Sequence, residues 1–267
     1  MVQGRDVAGV ANQVEGHRAL QVGVRVGYAV SGGLHLLIAW IALQVAWTAS
    51  GKSADQSGAL QTLAGNSLGR LTLWVAVLGF LALGLWQLAS ALAVRSGGES
   101  SKWADKAKGI AKSVVYLVLA WTSFSFAKGK PSSSKAQSAD FTATLLQHTG
   151  GRLFVAVIGI VVMGVGAYHV VKGWTKKFLE DLSENPGTVA TRAGVVGYIA
   201  KGIALAVVGV LFLTAAAQNS ASKATGIDGA LRSLRQQAAG PWLLSAVALG
   251  IAAYGVYSFA RSRHARI

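Results

Sequence analysis

Three pairs of long apolar stretches alternate with polar segments along the 267-residue chain. The second members, at residues 71–94, 153–171 and 242–260, contain no charged residue, and each has about the length that a helix needs to cross ~30 Å of hydrocarbon. The first members are expected at residues 24–47, 107–127 and 195–217. This pattern predicts six transmembrane helices.

The polar segments divide the chain into seven parts. In order, we expect an amino-terminal segment (1–23), a first helix pair (24–94), a basic connector (95–109), a second pair (110–171), a second basic connector (172–192), a third pair (193–260) and a basic tail (261–267). Each connector carries a tryptophan among its lysines, which is typical of segments that lie along a headgroup layer.

A ladder of glycine and aromatic residues recurs in the second helix of every pair. It begins at Gly69, Gly151 and Gly240, with another glycine fifteen and an aromatic residue seventeen positions later. A middle glycine, ten positions along, is present in the first and third copies, whereas Val161 takes its place in the second. Apolar helices of independent origin would not share this spacing, so the ladder indicates an internal repeat.

The first helices of the pairs repeat as well. Ser31, Lys112 and Lys201 occupy one shared position near the start of the helix, and the period of the whole unit is roughly 80 to 90 residues. A two-helix unit returns the chain to its starting side, so the three copies share one orientation and are related by an axis along the membrane normal. The predicted fold is an all-α polytopic membrane protein, with six transmembrane helices as three tandem parallel helical-hairpin repeats and pseudo-threefold symmetry.

Four short motifs accompany this pattern. They are Gly-Tyr-Ile-Ala-Lys-Gly at 197–202, Gly-Ala-Leu at 58–60 and again at 229–231, and the end of the last ladder with Gly250, Gly255 and Tyr257. From Arg25 onward the chain resembles the bacterial membrane-protein family known as domain of unknown function 1206, in which a two-helix unit is repeated three times. The resemblance implies a multi-pass protein of the bacterial plasma membrane. That family has no assigned reaction, so the resemblance implies no catalytic residue.

The charge balance favours lipid as a partner. The chain has 25 Lys and Arg against 10 Asp and Glu, a formal net charge of +15, but the basic residues lie between apolar stretches and not on one folded face. We expect anionic lipid headgroups as partners, a membrane protein as a further open alternative, and no nucleic acid. Fourteen Lys and Arg fall in the termini and connectors when Arg25 is counted with the amino terminus, Lys112 and Lys201 just inside the spans add two, and nine fall in the other three loops. This excess predicts that both termini are cytoplasmic.

Several kinds of chemistry are disfavoured by composition. The chain has no cysteine, which excludes disulfides, thiolate metal sites and cysteine nucleophiles. The predicted spans contain no Asp or Glu, the usual carriers of coupled proton or sodium movement. Because no catalytic triad or phosphate-binding loop is recognisable either, we expect no catalytic residue, no metal and no cofactor.

Basic residues at the membrane are the first functional candidates. Lys112 and Lys201 repeat at one position, and they either extend to the headgroups and fix helix depth or bind an anionic lipid or solute. Arg70 and Arg152 begin the second and fourth spans, where a cation opposes the helix dipole, so we expect them to contact headgroups.

Other residues of the spans are candidates for a polar site, for helix packing or for an interfacial belt. His35 and Tyr116 stand at about equivalent depth and are a candidate intramembrane polar site, with a hydrogen bond to a nearby carbonyl as the simpler explanation for the histidine. Glycines of the ladder are expected at close helix crossings, namely Gly79, Gly84, Gly166, Gly250 and Gly255. Aromatic residues near the cytoplasmic helix ends are expected to form an interfacial belt, namely Tyr28, Trp86, Tyr168, Tyr198 and Tyr257.

Two functions remain open from the sequence. The first is a non-enzymatic integral membrane protein that acts as a structural, interaction or lipid-binding scaffold. The second is a passive channel or carrier with a path along the pseudo-threefold axis. Inward helix faces sealed by Leu, Val and Phe would favour the first, and faces lined by Ser, Thr, Tyr and His would favour the second.

Overall fold

The computed structural model describes residues 3–48, 50–93 and 99–266. Residue 94, predicted to end the first pair, and residues 95–98 of the first connector lie outside the described residues. Within those ranges the chain is folded into nine α-helices and two short 3-10 segments, Lys177–Asp181 and Ala221–Lys223. The helices are α1 (Gln3–Trp47), α2 (Gln56–Ala64), α3 (Ser67–Ala93), α4 (Glu99–Ala127), α5 (Ser134–Leu146), α6 (Gly151–Trp174), α7 (Thr188–Ala217), α8 (Gly226–Arg235) and α9 (Gly240–His264).

Six of these helices are long and apolar enough to cross a membrane, as the sequence predicts. They are α3, α6, α7 and α9, the part of α1 from Arg18 and the part of α4 from Asp105. Two spans begin markedly earlier than expected. The first belongs to a helix that is already continuous from Gln3, and the fifth begins at Thr188, directly after Pro186 and Gly187.

The two ends of the bundle differ in the segments that lie there. The short helices α2, α5 and α8 each connect the two spans of one repeat and lie at one end, called here the loop side. At the other end, the terminal side, the second connector pairs with the carboxyl terminus. The Ser183 N–H donates to the His264 carbonyl at 2.7 Å, and the Arg25 guanidinium donates to the Arg263 carbonyl at 3.0 Å.

The most extensive helix contacts join one repeat to the next. They are formed by α3 with α4, by α6 with α7, and by α9 with α1, which brings the last repeat back to the first. Within repeats, α1 packs on α3 and α7 packs on α9, but α4 and α6 make almost no close approach in the described residues. The order around the bundle is therefore α4, α3, α1, α9, α7, α6. The side between α4 and α6 is called here the α4–α6 opening.

Three equivalent contacts hold successive repeats together. The Ser113 hydroxyl donates to the Gly84 carbonyl at 2.8 Å, where α3 meets α4. At the next interface a Cβ added to Gly166 would lie 2.7 Å from the Gly202 carbonyl oxygen. Where α9 meets α1, a Cβ added to Gly255 would lie 2.9 Å from the Gly32 carbonyl oxygen. Small residues at these crossings let the backbones approach, so packing can join helices that lipid could otherwise separate.

A different set of small residues holds the two spans of one repeat together. In the first repeat a Cβ added to Gly79 would lie 2.8 Å from the Cα of Gly27, and in the third the same positions are Gly197, against Tyr254, and Gly250, against Ala200. In the second repeat these two positions are Lys108 and Val161. A long cation and a branched side chain prevent the close crossing, which explains why α4 and α6 stand apart.

The interior of the bundle is apolar toward the loop side. One cluster of buried residues is contributed mainly by α1, α3, α4 and α9, and includes Leu34, Ile38, Ile41, Leu73, Phe80, Leu83, Phe126, Leu244 and Ile251. Most side chains on the outer faces of the spans are also apolar but exposed, as expected for helices that face lipid. Toward the terminal side the interior changes to aromatic and charged residues.

Candidate anion-binding site

A carboxylate of the second connector holds two cations at the terminal side. The Asp181 Oδ2 atom lies 2.7 Å from the Lys172 ammonium of α6 and 3.5 Å from the Arg261 guanidinium of α9. The side chains of Lys172 and Arg261 are only 11% and 14% exposed, and that of Asp181 is 25% exposed. The connector is thus fastened to the ends of two spans.

Burial would by itself favour the neutral form of the Asp181 carboxyl. The positive charges of Arg261, Lys172 and Lys112 outweigh that effect and hold the pKa of Asp181 below its ordinary value. Asp181 is therefore a carboxylate at neutral pH. It balances only part of the positive charge around it.

Lys112 and Lys201 both lie in this neighbourhood, on α4 and α7. Lys112 is exposed on the surface of α4 and lies within electrostatic range of Arg261, Asp181 and Lys172. The Lys201 ammonium lies 4.2 Å from the ring centroid of Tyr254, a favourable cation–π distance. We call Lys112, Lys172, Lys201, Arg261 and Asp181 the cationic cluster.

His169 of α6 lies near the lysines of the cluster. It is within electrostatic range of Lys201, Lys172 and Lys112, and its ring stacks on Tyr198 at 5.8 Å. In the described residues neither Lys112 nor Lys201 forms an ion pair with a carboxylate. The cluster thus presents two lysines without a carboxylate partner, one exposed on α4 and one half-buried against Tyr254.

Tyrosines form the inner wall of the cluster. Tyr198 packs against Phe178, Tyr254 and Tyr257 with ring centroids 5.2, 5.3 and 5.6 Å away, and the Tyr257 hydroxyl donates to the Phe178 carbonyl at 3.2 Å. Tyr28 is also buried, with the Arg261 guanidinium 4.4 Å from its ring centroid. The predicted belt is therefore wrong for Tyr28, Tyr198 and Tyr257, because these rings pack on one another and on cations inside the bundle.

His35 and Tyr116 both line the interior of the bundle, but each ring packs on a different neighbour. The His35 Nδ1–H donates to the Ser31 carbonyl at 2.7 Å, and its ring lies 4.7 Å from that of Tyr254. Because a carbonyl only accepts, this bond fixes the tautomer of the histidine. Tyr116 stacks on Phe80 at 6.3 Å. The two residues mark the boundary between the polar terminal half and the apolar loop half.

Arg70 and Arg152 lie at the opposite end of the bundle. The Arg152 guanidinium donates to the carbonyls of Ala216 and Ala217 at 3.1 and 3.0 Å, where it caps the carboxyl end of α7. The Arg70 Nε–H donates to the Ala64 carbonyl at 3.4 Å, at the end of α2. The structure does not bring these arginines together with Lys112 and Lys201.

Sequence reasoning missed three of the five residues of the cluster, although the repeat contains a signal for the two cations among them. Lys172 and Arg261 stand twenty-one residues after Gly151 and Gly240, and Ser90 is their counterpart in the first repeat. The shared position of the first helices has the same distribution, a serine (Ser31) in the first repeat and a cationic residue, lysine, in the other two. All four cations thus come from two equivalent positions in the second and third repeats.

Comparisons with known proteins agree with the three-repeat architecture. A family model described as Domain of Unknown Function (DUF1206) matches the chain three times, at residues 26–94, 107–176 and 196–265. A curated protein of Bacillus subtilis (strain 168), "Uncharacterized protein YxxB", is 27% identical over 241 residues, which cover 88% of this chain and 87% of that protein. No solved structure matches.

Proposed function

This chain belongs to the DUF1206 family, a family of unknown function, and we propose that it is a non-enzymatic integral membrane protein that acts as a scaffold and binds anionic lipid. The observation that carries the proposal is the pair of lysines of the cationic cluster that form no ion pair with a carboxylate in the described residues. Cationic side chains at membrane depth are costly unless they are neutralised or reach water. Lys112 and Lys201 have no carboxylate partner in the described residues, so an anionic headgroup is the natural counterion.

The interior of the bundle supports a scaffold over a channel along the pseudo-threefold axis. Large apolar side chains such as Ile41, Phe80 and Leu244 are fully buried in its loop half. A polar solute that entered from the terminal side would have to pass this apolar core, where its polar groups would lose their hydrogen bonds. Access from the side, between α4 and α6, does not require such passage.

The distribution of charge supports a particular orientation. The terminal side carries the two basic connectors, the basic tail and the cationic cluster. We place this side in the cytoplasm of a bacterial plasma membrane, where anionic lipid headgroups attract Lys and Arg. Lipid headgroups of that leaflet would then lie at the level of the cluster.

Native mass spectrometry of protein purified in mild detergent tests the proposal. We expect an anionic phospholipid on the original protein and its loss in a Lys112→Gln, Lys201→Gln double variant. The matched control is Lys128→Gln with Lys223→Gln, which removes two exposed loop-side lysines and the same charge. Equal lipid retention in both double variants would reject the site and leave Lys112 and Lys201 as anchors of helix depth.

A further inference from the structure

We infer that the α4–α6 opening leads a lipid to a site for a phosphate monoester, the dianionic form of headgroup, in preference to a phosphodiester. This inference rests on the proposed function and specifies the ligand of the same site. It follows from three features, which are the charge of the cluster, the missing crossing of the second repeat, and the donors that remain unused.

The charge of the cluster exceeds what one phosphodiester can neutralise. Four cationic side chains, Lys112, Lys172, Lys201 and Arg261, converge on a region where Asp181 is the one carboxylate that forms ion pairs with any of them in the described residues. A phosphodiester carries one negative charge, whereas a phosphate monoester carries about −1.5 to −2 at neutral pH. The monoester therefore matches the surplus of positive charge more closely.

The donors are placed where a membrane lipid can reach them. Lys112 is exposed on α4, and the half-buried His169 of α6 lies within electrostatic range of it. In the most apolar stretches of α4 and α6, only 22% and 17% of the residues are buried, the lowest shares among the six spans. A headgroup can thus enter sideways while its acyl chains stay in the bilayer.

Unused hydrogen-bond capacity adds to the argument. Arg261 gives one nitrogen to Asp181, but its buried Nε–H has no hydrogen-bond partner among the described residues. The lysine ammonium groups have further N–H donors, of which Asp181 accepts one, from Lys172. A monoester presents three strong acceptor oxygens, one more than the free oxygens of a diester, and charge-assisted bonds to these are short and strong.

The experiment is a titration of delipidated protein, followed by native mass spectrometry. The two probes are phosphatidic acid, a monoester, and phosphatidylglycerol, a diester, with identical acyl chains. We expect about tenfold tighter binding of phosphatidic acid, the factor that corresponds to roughly one additional charge-assisted bond. The single variant Lys112→Gln should reduce this preference toward equality, and Lys128→Gln should leave it unchanged. Lys112 is exposed, so its replacement should keep the fold, which a thermal melt of each variant checks.

Each outcome is decisive. Equal affinity for the two lipids would overturn this inference and leave the proposed function standing, whereas binding of neither lipid would overturn both. An unchanged preference in Lys112→Gln would place the selectivity outside the cluster and overturn the inference. A third arm adds inorganic phosphate to the phosphatidic acid complex. Displacement of the lipid by an equal concentration of phosphate would show that the site takes the free ion, which would overturn the assignment to a lipid.

Discussion

The Lys172 ammonium lies 2.7 Å from the Asp181 carboxylate, and this contact fastens the second connector to the end of α6. Arg261 approaches the same oxygen from α9, so one carboxylate links the second and third repeats. Both cations are largely buried, and removal of their shared counterion would leave two uncompensated charges. The contact is therefore expected to contribute to stability.

Replacement of Asp181 by Asn should lower the free energy of unfolding by about 1–3 kcal/mol at neutral pH, because charged hydrogen bonds are lost. The folded-state pKa of Asp181 is lowered, so its contribution is complete above the ordinary carboxyl value of about 3.9 and is lost as the pH falls through the lowered pKa. Thermal melts in detergent should thus separate the variant from the original protein at neutral pH and converge in acid. Glu180→Gln, at an exposed neighbour, is the control; a constant gap at every pH would contradict this account.

Gly166 and Gly164 offer a matched pair within α6. A Cβ at Gly166 would press on the backbone of α7, with the Gly202 carbonyl oxygen 2.7 Å away, whereas a Cβ at Gly164 would meet no atom within 4 Å. We expect Gly166→Ala to lower stability in detergent by about 1–3 kcal/mol, the usual cost of overpacking. Gly164→Ala should leave the melting temperature unchanged or raise it slightly. Similar melts for the two variants would mean that α6 and α7 do not cross at Gly166.

A second polar link joins the first and third repeats at the loop side. Asp228 is buried and accepts the Ala54 N–H at 2.8 Å as well as the Nε–H of Arg232. Asp228→Ala leaves both donors without their acceptor and should cost about 1–3 kcal/mol. Asp140→Ala, at an exposed carboxylate of α5, should have little effect on the same melt. If both variants melt alike, the link contributes nothing measurable.

Topology can be tested directly because the chain has no cysteine of its own. Single cysteines at the exposed loop-side positions Gln61, Gln137 and Ser222 should react with an impermeant maleimide on intact cells. A cysteine at Asn185, exposed on the terminal side, should react only after lysis. Labelling of Asn185→Cys on intact cells, with protection of the loop-side positions, would invert the proposed orientation.

The sequence predicts the architecture well and the site only in part. Six spans follow from the length of the apolar stretches, and the three parallel copies follow from the ladder that begins at Gly69. Lys112 and Lys201 attract notice because they repeat on the first helices. Asp181 could not be assigned, since its partners Lys172 and Arg261 are 9 and 80 residues away and become its neighbours only in the folded bundle.

The sequence pattern alone also did not predict the α4–α6 opening, although it contains the substitution that causes this opening. Val161 stands out as a missing glycine, but whether such a substitution separates two helices depends on the helix that each one faces. In the structure, the middle glycine faces the first helix of its own repeat, and the last glycine faces the next repeat, as Gly166 does. Loss of the middle glycine therefore separates α4 from α6 and leaves the other interfaces intact.

Distances between spin labels measure this asymmetry between the repeats most directly. Cysteine pairs at equivalent exposed positions, Trp40 with Leu71, Trp121 with Leu153 and Val210 with Trp242, report the separation of the two spans in the first, second and third repeats. Pulsed electron paramagnetic resonance in lipid nanodiscs should give a clearly longer distance for the second pair than for the other two. Three equal distances would contradict the open second repeat, and with it the lateral route to Lys112 and Lys201.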